Sequence, residues 1–296
     1  MKVSPHRRAL PGGTSEWRLI DSGPGCGAWN LALDDAIFQS VREGRSPPTL
    51  RFYSWLPPTL SLGYAQDRER VVDLDACRKL GIAVLRRVTG GRAVLHDREL
   101  TYSVAVPAGT PLFGSGLEAA YRAVGAGLLA GLRRLGVEAS AAQRDRPVAR
   151  RQHQGCFAAP SRHEIVAGGR KLAGSAQRRV EGAFLQHGSI LLRGHGEQLG
   201  LILRPEAVAG GTQGMIGLAD LLQPAPSDGE LKATLTAGCA AAWGVRFRRG
   251  VPGVEEMRLA RELEVARYGS ACWNAGRSAP AGMLNLQPGC PRSAPA

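Results

Sequence analysis

The chain has 296 residues, 44% of them hydrophobic, and its 38 Lys and Arg outnumber 25 Asp and Glu to leave a net charge of +13. That composition excludes a disordered chain and allows a substantial core. No stretch approaches the ~18 consecutive apolar residues of a membrane span, and the basic start MKVSPHRRALPGG lacks the apolar segment of a secretory signal.

Residues 1–15 read as a flexible basic tail, and residues 275–296, rich in Pro, Gly, Ala and Ser, as a second one. Between them a strand is expected at 17–21, and a helix at 30–41 from Leu33, Ile37 and Val41 at helical spacing. Strands at 50–55 and 59–64 flank Pro57-Pro58. A short helix at 74–80 stops at Gly81, and a strand at 82–88 runs into a Thr89-Gly90-Gly91 turn. Strands at 93–95 and 100–106 follow, then an Ala/Leu-rich helix at 116–135. Residues 163–167 and 170–177 read as a hairpin about Gly168-Gly169, with a further strand at 182–192. Helices at 230–243 and 255–268, with a strand at 245–248 between them, close the pattern. Hairpin-paired strands interrupted by long helices predict an α+β fold with a mixed, mainly antiparallel sheet. The expected organisation is one catalytic domain at 16–274, of which 227–274 is a small helical C-terminal part.

The six cysteines (26, 77, 156, 239, 272, 290) form no CxxC pair and no Cys/His cluster of zinc spacing. They read as reduced thiols of a cytoplasmic protein, with no metal.

Three segments carry candidate chemistry. In RRVTGGRAVLHD at 86–97, two glycines follow a strand with arginines beside them. Backbone N–H groups there can approach a phosphate or carboxyl group, or the segment is a hairpin turn with solvated arginines. In GCFAAPS at 155–161, Cys156 sits in a region (141–180) with nine Lys and Arg against Asp145 and Glu164. Positive charge raises the thiolate fraction of a cysteine, so Cys156 is a candidate nucleophile; the alternative is a small buried residue. In GRKLAGSAQ at 169–177, Lys171 lies on a strand and either faces a cleft, as a proton shuttle or a holder of a carbonyl oxygen, or lies on the surface.

Together these segments resemble the lipoate–protein ligase/biotin ligase superfamily, and within it the cysteine-dependent octanoyltransferases of lipoate biosynthesis. The resemblance runs from Trp17 to Asn274 and rests on NLALD at 30–34, LRFYSWLPPTLSLGYAQ at 50–66, RRVTGGRAVLHDRELTYS at 86–103, GCFAAPS, GRKLAGSAQ and LQHGSIL at 185–191. ATP-dependent lipoate ligases carry a third glycine after the Gly-Gly pair; here Arg92 stands there, where a long side chain obstructs a phosphate. Cys156 matches the nucleophile, and Lys171 the active-site lysine, of the enzymes that use octanoyl-acyl carrier protein. The RELTYS form argues against the related amidotransferases that move octanoate between lipoyl domains.

The resemblance implies a biotin/lipoate ligase-like fold and a two-step transfer. Octanoyl passes from octanoyl-acyl carrier protein to Cys156, then to a lysine of glycine-cleavage H protein or a lipoyl domain. No cofactor, nucleic acid or membrane is involved, and a monomer is expected. It also implies substrate-binding roles for Tyr64, Arg87, Gly90, Gly91, Arg92, His96, Gly174 and Ser175, with Tyr64, Val88 and Leu95 lining an acyl tunnel. His96 is expected to organise the Gly-Gly turn and His187 to be a hydrogen-bonded structural residue; Asp34 anchors a helix near the cleft. Arg51 and Arg87 contact substrate or are salt-bridged scaffold. His153 and His163 are sequence neighbours of Cys156, but the resemblance favours lysine as its partner. A basic face at 144–151 and 162–179 would steer acidic carrier and acceptor domains. Ala266-Arg267-Tyr268 stands where relatives often carry a lysine before the tyrosine. The rival readings are an ATP-dependent lipoate ligase and a non-catalytic basic module; for the latter the 5% aromatic content is too low for a nucleic-acid stacking surface.

Overall fold

The computed structural model describes residues 15–114, 116–142, 164–208 and 214–276. Cys156, His153, His163 and the arginines at 144–151 and 162 lie outside the described residues.

The strands that read as alternating or wholly apolar segments gather into one large sheet. Its members are β1 (Ser15–Gly25), β2 (Thr49–Trp55), β6 (Glu99–Pro107), β7 (Ala139–Ala141), β8 (Ile165–Ala167), β9 (Arg170–Val180), β10 (Ala183–Leu191) and β11 (Val245–Arg249). They are arranged in the order β11-β1-β2-β6-β10-β9-β8-β7. Only β1 runs parallel to its neighbours, β11 and β2; the other pairings are antiparallel. A second sheet holds β3 (Thr59–Leu62) between β4 (Ala83–Arg86), parallel to it, and β5 (Val94–His96), antiparallel.

Period-two alternation divides the large sheet's faces. Leu50 and Phe52 of β2 and Leu100, Tyr102, Val104 and Val106 of β6 enter one apolar cluster with Trp17, Phe113 and Trp243. That cluster also takes Val124, Leu128 and Leu132 of helix α4 (Leu117–Arg134), and Leu231, Leu235 and Cys239 of a later helix, Asp228–Trp243. On the opposite face, Tyr53, Trp55, Ala105 and Leu185 meet Leu33, Ile37 and Val41 of α1 (Gly27–Arg42). The same face carries polar side chains further along the strands: Arg51, Thr101, Ser103, His187 and Ser189, all buried. An apolar sheet face interrupted by this many buried polar groups must supply their partners. A third cluster fills the small sheet, joining Leu60, Leu62 and Leu95 to Cys77 of a short helix at Leu74–Lys79 and to Leu199 and Ile202 of another at Gly196–Ile202.

The segment 227–274 is mainly helical and carries one strand, β11. β11 extends the main sheet beside β1, and the 228–243 helix packs along α4. The helix at Val254–Leu263 lies against α1 and runs on into a π-helical turn at Glu264–Tyr268. There Arg267 pairs with the buried carboxylate of Asp35, and Tyr268 donates to it at 3.0 Å. Gly168 and Gly169, with φ of 54° and 74°, form the two-residue turn expected between β8 and β9. No helix among the described residues is long and apolar enough to cross a membrane.

Candidate active site

A cavity of about 450 Å³ opens between the small sheet and strands β9 and β10. Its wall includes Ser61, Arg87, Gly91, Arg92 and His96 from one side and Lys171, Gly174, Ser175, His187 and Ser189 from the other. Leu117, Glu118 and Tyr121 of α4 also face it.

The Gly90–Arg92 loop owes its shape to one guanidinium. Arg87 is 3% exposed and donates from Nη2 to the carbonyls of Gly90 (2.7 Å) and Arg92 (2.8 Å). Its Nη1 reaches the carbonyl and hydroxyl of Ser61, each at 3.0 Å, and its Nε reaches Thr89 Oγ1 at 3.1 Å. Arg87 is therefore scaffold for the loop as well as wall of the cavity. Gly91 has φ of +91°, and a Cβ there would stand 2.8 Å from Arg87 Nη2, so any side chain would displace the clamp.

Because arginine can only donate, Arg87 orders the hydrogen bonds around it. Ser61 Oγ accepts from Arg87 and shares a hydrogen bond with His96 Nε2 at 2.8 Å, while His96 Nδ1 lies 2.7 Å from Glu99 Oε1. Glu99 Oε1 also accepts from Thr101 (2.6 Å) and Ser189 (2.7 Å), and the His96 ring stacks on Trp55 at 3.9 Å. Burial tends to raise Glu99; the adjacent His96 and these donors overcome it and lower its carboxyl below the ordinary value. On the other branch Thr89 accepts from Arg87 and hydrogen-bonds His187 Nε2 at 2.7 Å. His187 Nδ1 lies 3.6 Å from Asp34 Oδ2. Burial lowers His187 below its ordinary value in spite of Asp34, as fits a neutral, hydrogen-bonded ring.

Asp34 anchors α1 to the sheet through Arg51 Nη1, Tyr53 Oη and Ser103 Oγ, each at 2.7 Å. Burial would raise this carboxyl, but Arg51, His187 and Ser103 together hold it at about 2. Arg51, wholly buried, is scaffold and does not reach the cavity.

Lys171 is 5% exposed and paired with Glu164, Nζ to Oε1 2.7 Å, so it lies in the cleft wall and not on the surface. Ser175 bonds Tyr102 Oη at 2.5 Å. Arg87, Gly91, Arg92, His96, Lys171, Gly174 and Ser175 thus share one cavity. Gly90 is exposed at its rim, outside the lining residues. Tyr64 is not among the residues that line this cavity. It is 59% exposed and its ring packs on Trp273, while Arg86 Nη1 donates to the carbonyls of Gly63, Tyr64 and Gln66. Val88 and Leu95 belong to the cores on either side and do not line the cavity either.

Sequence reasoning passed over Tyr121, Ser61, Ser189 and Glu164. Tyr121 is a lone polar aromatic in an Ala/Leu-rich helix; burial pushes its hydroxyl up to about 12, against the pull of Arg87. Glu164 is one of only two acids in the basic stretch 141–180, a signal that was visible.

The model of the lipoyl protein ligase A/B catalytic domain matches residues 27–240, which covers the whole cavity. The chain belongs to that family. Within the family it is 42% identical over 267 residues to the octanoyltransferase LipM of Moorella thermoacetica, a match that spans 87% of this chain and 97% of the relative. The LipM octanoyltransferase of Kyrpidia tusciae is 40% identical over 269 residues, 87% of this chain and 98% of that one. Among solved structures, a lipoate-protein ligase A bound with ATP superposes with a TM-score of 0.75 at 29% identity, covering 88% of this chain and 99% of that one. The fold expected from the sequence, a lipoate ligase-like α+β domain with a mixed sheet, is the fold of this family.

Proposed function

We propose that the chain is an octanoyltransferase of lipoate biosynthesis that moves an octanoyl group from octanoyl-acyl carrier protein to a lysine of a lipoyl-accepting protein, glycine-cleavage H protein or a lipoyl domain. The observation that carries this reading is the cavity itself. Lys171 and the Arg87-clamped loop both line it, in a chain 40–42% identical to octanoyltransferases over nearly their whole length.

The reaction is two acyl transfers. The Cys156 sulfur attacks the thioester carbonyl of the donor, the bond to the carrier sulfur breaks, and the carrier leaves as its thiol. The acceptor amine then attacks the Cys156 thioester; an amide forms and the Cys156 thiol is restored. Exchange of one thioester for another is nearly isoenergetic and amide formation is downhill, so no nucleotide is needed. Lys171, in the cavity wall, donates in this reading to the acyl carbonyl oxygen as negative charge develops there. Seven apolar carbons at ~0.8 kcal/mol each give at most about 5–6 kcal/mol for holding the chain. The cavity lies within the usual ligand-pocket range of roughly 300–1,000 Å³. Arg92 in the wall stands where a nucleotide-binding loop needs open backbone, which favours transfer over ATP-dependent ligation.

The test is transfer from octanoyl-acyl carrier protein to apo-H protein, with and without ATP, followed by mass spectrometry of the acceptor. Acylation without ATP is expected. Acylation from free octanoate or lipoate only when ATP is present would establish a ligase instead.

A further inference from the structure

The Lys171–Glu164 pair is built in from three directions. Val166 pairs with Lys171 across the β8–β9 hairpin but Ile165 pairs with Ala173, so Leu172 is an extra residue on β9. Such a bulge re-aims the side chains beside it. The main chain of Lys171 is fixed on the other edge, its N–H donating to the Gly214 carbonyl at 2.7 Å and its carbonyl accepting from Ile216 at 2.9 Å. The stem crosses Gly174 so closely that a Cβ there would lie 2.7 Å from both Cε and Nζ, a distance real Cβ atoms do not adopt. Glu164 holds the head, and the two side chains are 6% and 7% exposed. An ion pair this buried gains little stability over apolar residues of similar size, whereas removal of one partner strands the other. Its place in the cavity wall therefore calls for a role in the cavity.

We infer that Glu164 is a positioning residue for acyl transfer: it holds Lys171 as an ammonium with Nζ aimed at the acyl carbonyl. The inference rests on the reading that Lys171 acts on the acyl group. An ammonium donates and cannot accept, so Lys171 serves the carbonyl oxygen and does not act as the base. The proton that the Cys156 thiol loses on acylation is regained by the departing carrier thiol, so the step requires no net proton change at the pair. A four-carbon stem without its carboxylate partner would sample several rotamers, and misplacement by about 1 Å costs roughly 100-fold.

Single-turnover acylation by octanoyl-acyl carrier protein, quenched and read by mass spectrometry, tests this with Glu164→Gln, Glu164→Asp, Lys171→Met and the Gln/Met double variant. Glu164→Gln should lower the saturated rate roughly 10- to 100-fold, with the half-saturating donor concentration unchanged. Glu164→Asp should recover part of that loss. The double variant, which strands no charge, should be no slower than Lys171→Met alone. A wild-type rate for Glu164→Gln with a slow Lys171→Met, or additive losses in the double variant, would overturn the inference and leave the role of Lys171 standing. A wild-type rate for Lys171→Met would refute the role of Lys171 itself. Should Glu164→Gln unfold, the aspartate and double variants carry the same comparisons.

Discussion

Replacement of Asp34 by asparagine preserves shape and removes one buried negative charge. The carboxylate is 2% exposed and faces Arg51, which is 0% exposed, at 2.7 Å. The native carboxyl is held at about 2 against an ordinary 3.8, so its ionised form is favoured on folding by about 2 kcal/mol. That is a lower bound for the substitution, because the variant also leaves the Arg51 guanidinium buried without its counter-charge. Breaking such a pair costs about 3–5 kcal/mol, a large fraction of a typical total of roughly 5–15 kcal/mol. Urea unfolding at pH 7 should show a loss of about 3–5 kcal/mol for Asp34→Asn. Since the folded value is depressed, the contribution is fully present above 3.8 and disappears as pH falls through about 2. The gap between wild type and variant should therefore stay flat from neutral pH to about pH 5 and narrow only below 3.8. A loss under about 1 kcal/mol, or a gap that closes between pH 8 and 6, would refute the reasoning.

Three further outcomes follow from the hydrogen bonds around the cavity. Arg87→Lys keeps the charge but cannot reach Ser61, Thr89, Gly90 and Arg92 at once, so kcat/KM for octanoyl transfer should drop at least roughly tenfold; a change under twofold would contradict the clamp. Gly91→Ala places a side chain at positive φ and against Arg87, and should cost about 1–3 kcal/mol in denaturant unfolding, whereas no measurable loss would mean the loop relaxes freely. Arg86 Nη1 ties the carbonyls of Gly63, Tyr64 and Gln66, and its Nε and Nη2 those of Trp273, Asn274 and Ala275; Arg86→Met should release this C-terminal turn and speed tryptic cleavage after Arg267 at least roughly tenfold. Unchanged cleavage would show that the turn is held by its apolar contacts.

Long local patterns carried much of the fold. The alternation through 100–106, the Gly168-Gly169 hairpin and the helical spacing at 33, 37 and 41 each recur where the strands and helices lie. β7 and the helices at Arg68–Val71, Gly196–Ile202 and Leu218–Leu221 are too short to show a period and were not legible. Nor was the pairing of β11 with β1, whose partners Ser15 and Val245 are far apart in the chain and carry no local mark of each other. Of the motif residues, Arg87, Gly91, Arg92, His96, Lys171, Gly174 and Ser175 line one cavity, whereas Gly90 and Tyr64 are not among its lining residues and Cys156 lies outside the described residues. Sequence order says that Tyr64 follows a cavity strand, but its ring packs on Trp273, far along the chain. Glu164 was visible as a rare acid in a basic stretch; its partnership with Lys171 needed the bulge at Leu172 to be seen.

The central claim is that the acyl group rests on Cys156 between donor and acceptor. Intact-protein mass spectrometry after incubation with octanoyl-acyl carrier protein tests it most directly, with peptide mapping of the wild type and Cys156→Ser. The account predicts one octanoyl group on wild-type Cys156, released by hydroxylamine and passed to apo-H protein on its addition. A folded wild-type enzyme that forms no adduct with intact donor, or one that carries the octanoyl group on another residue while Cys156→Ser turns over normally, would contradict it.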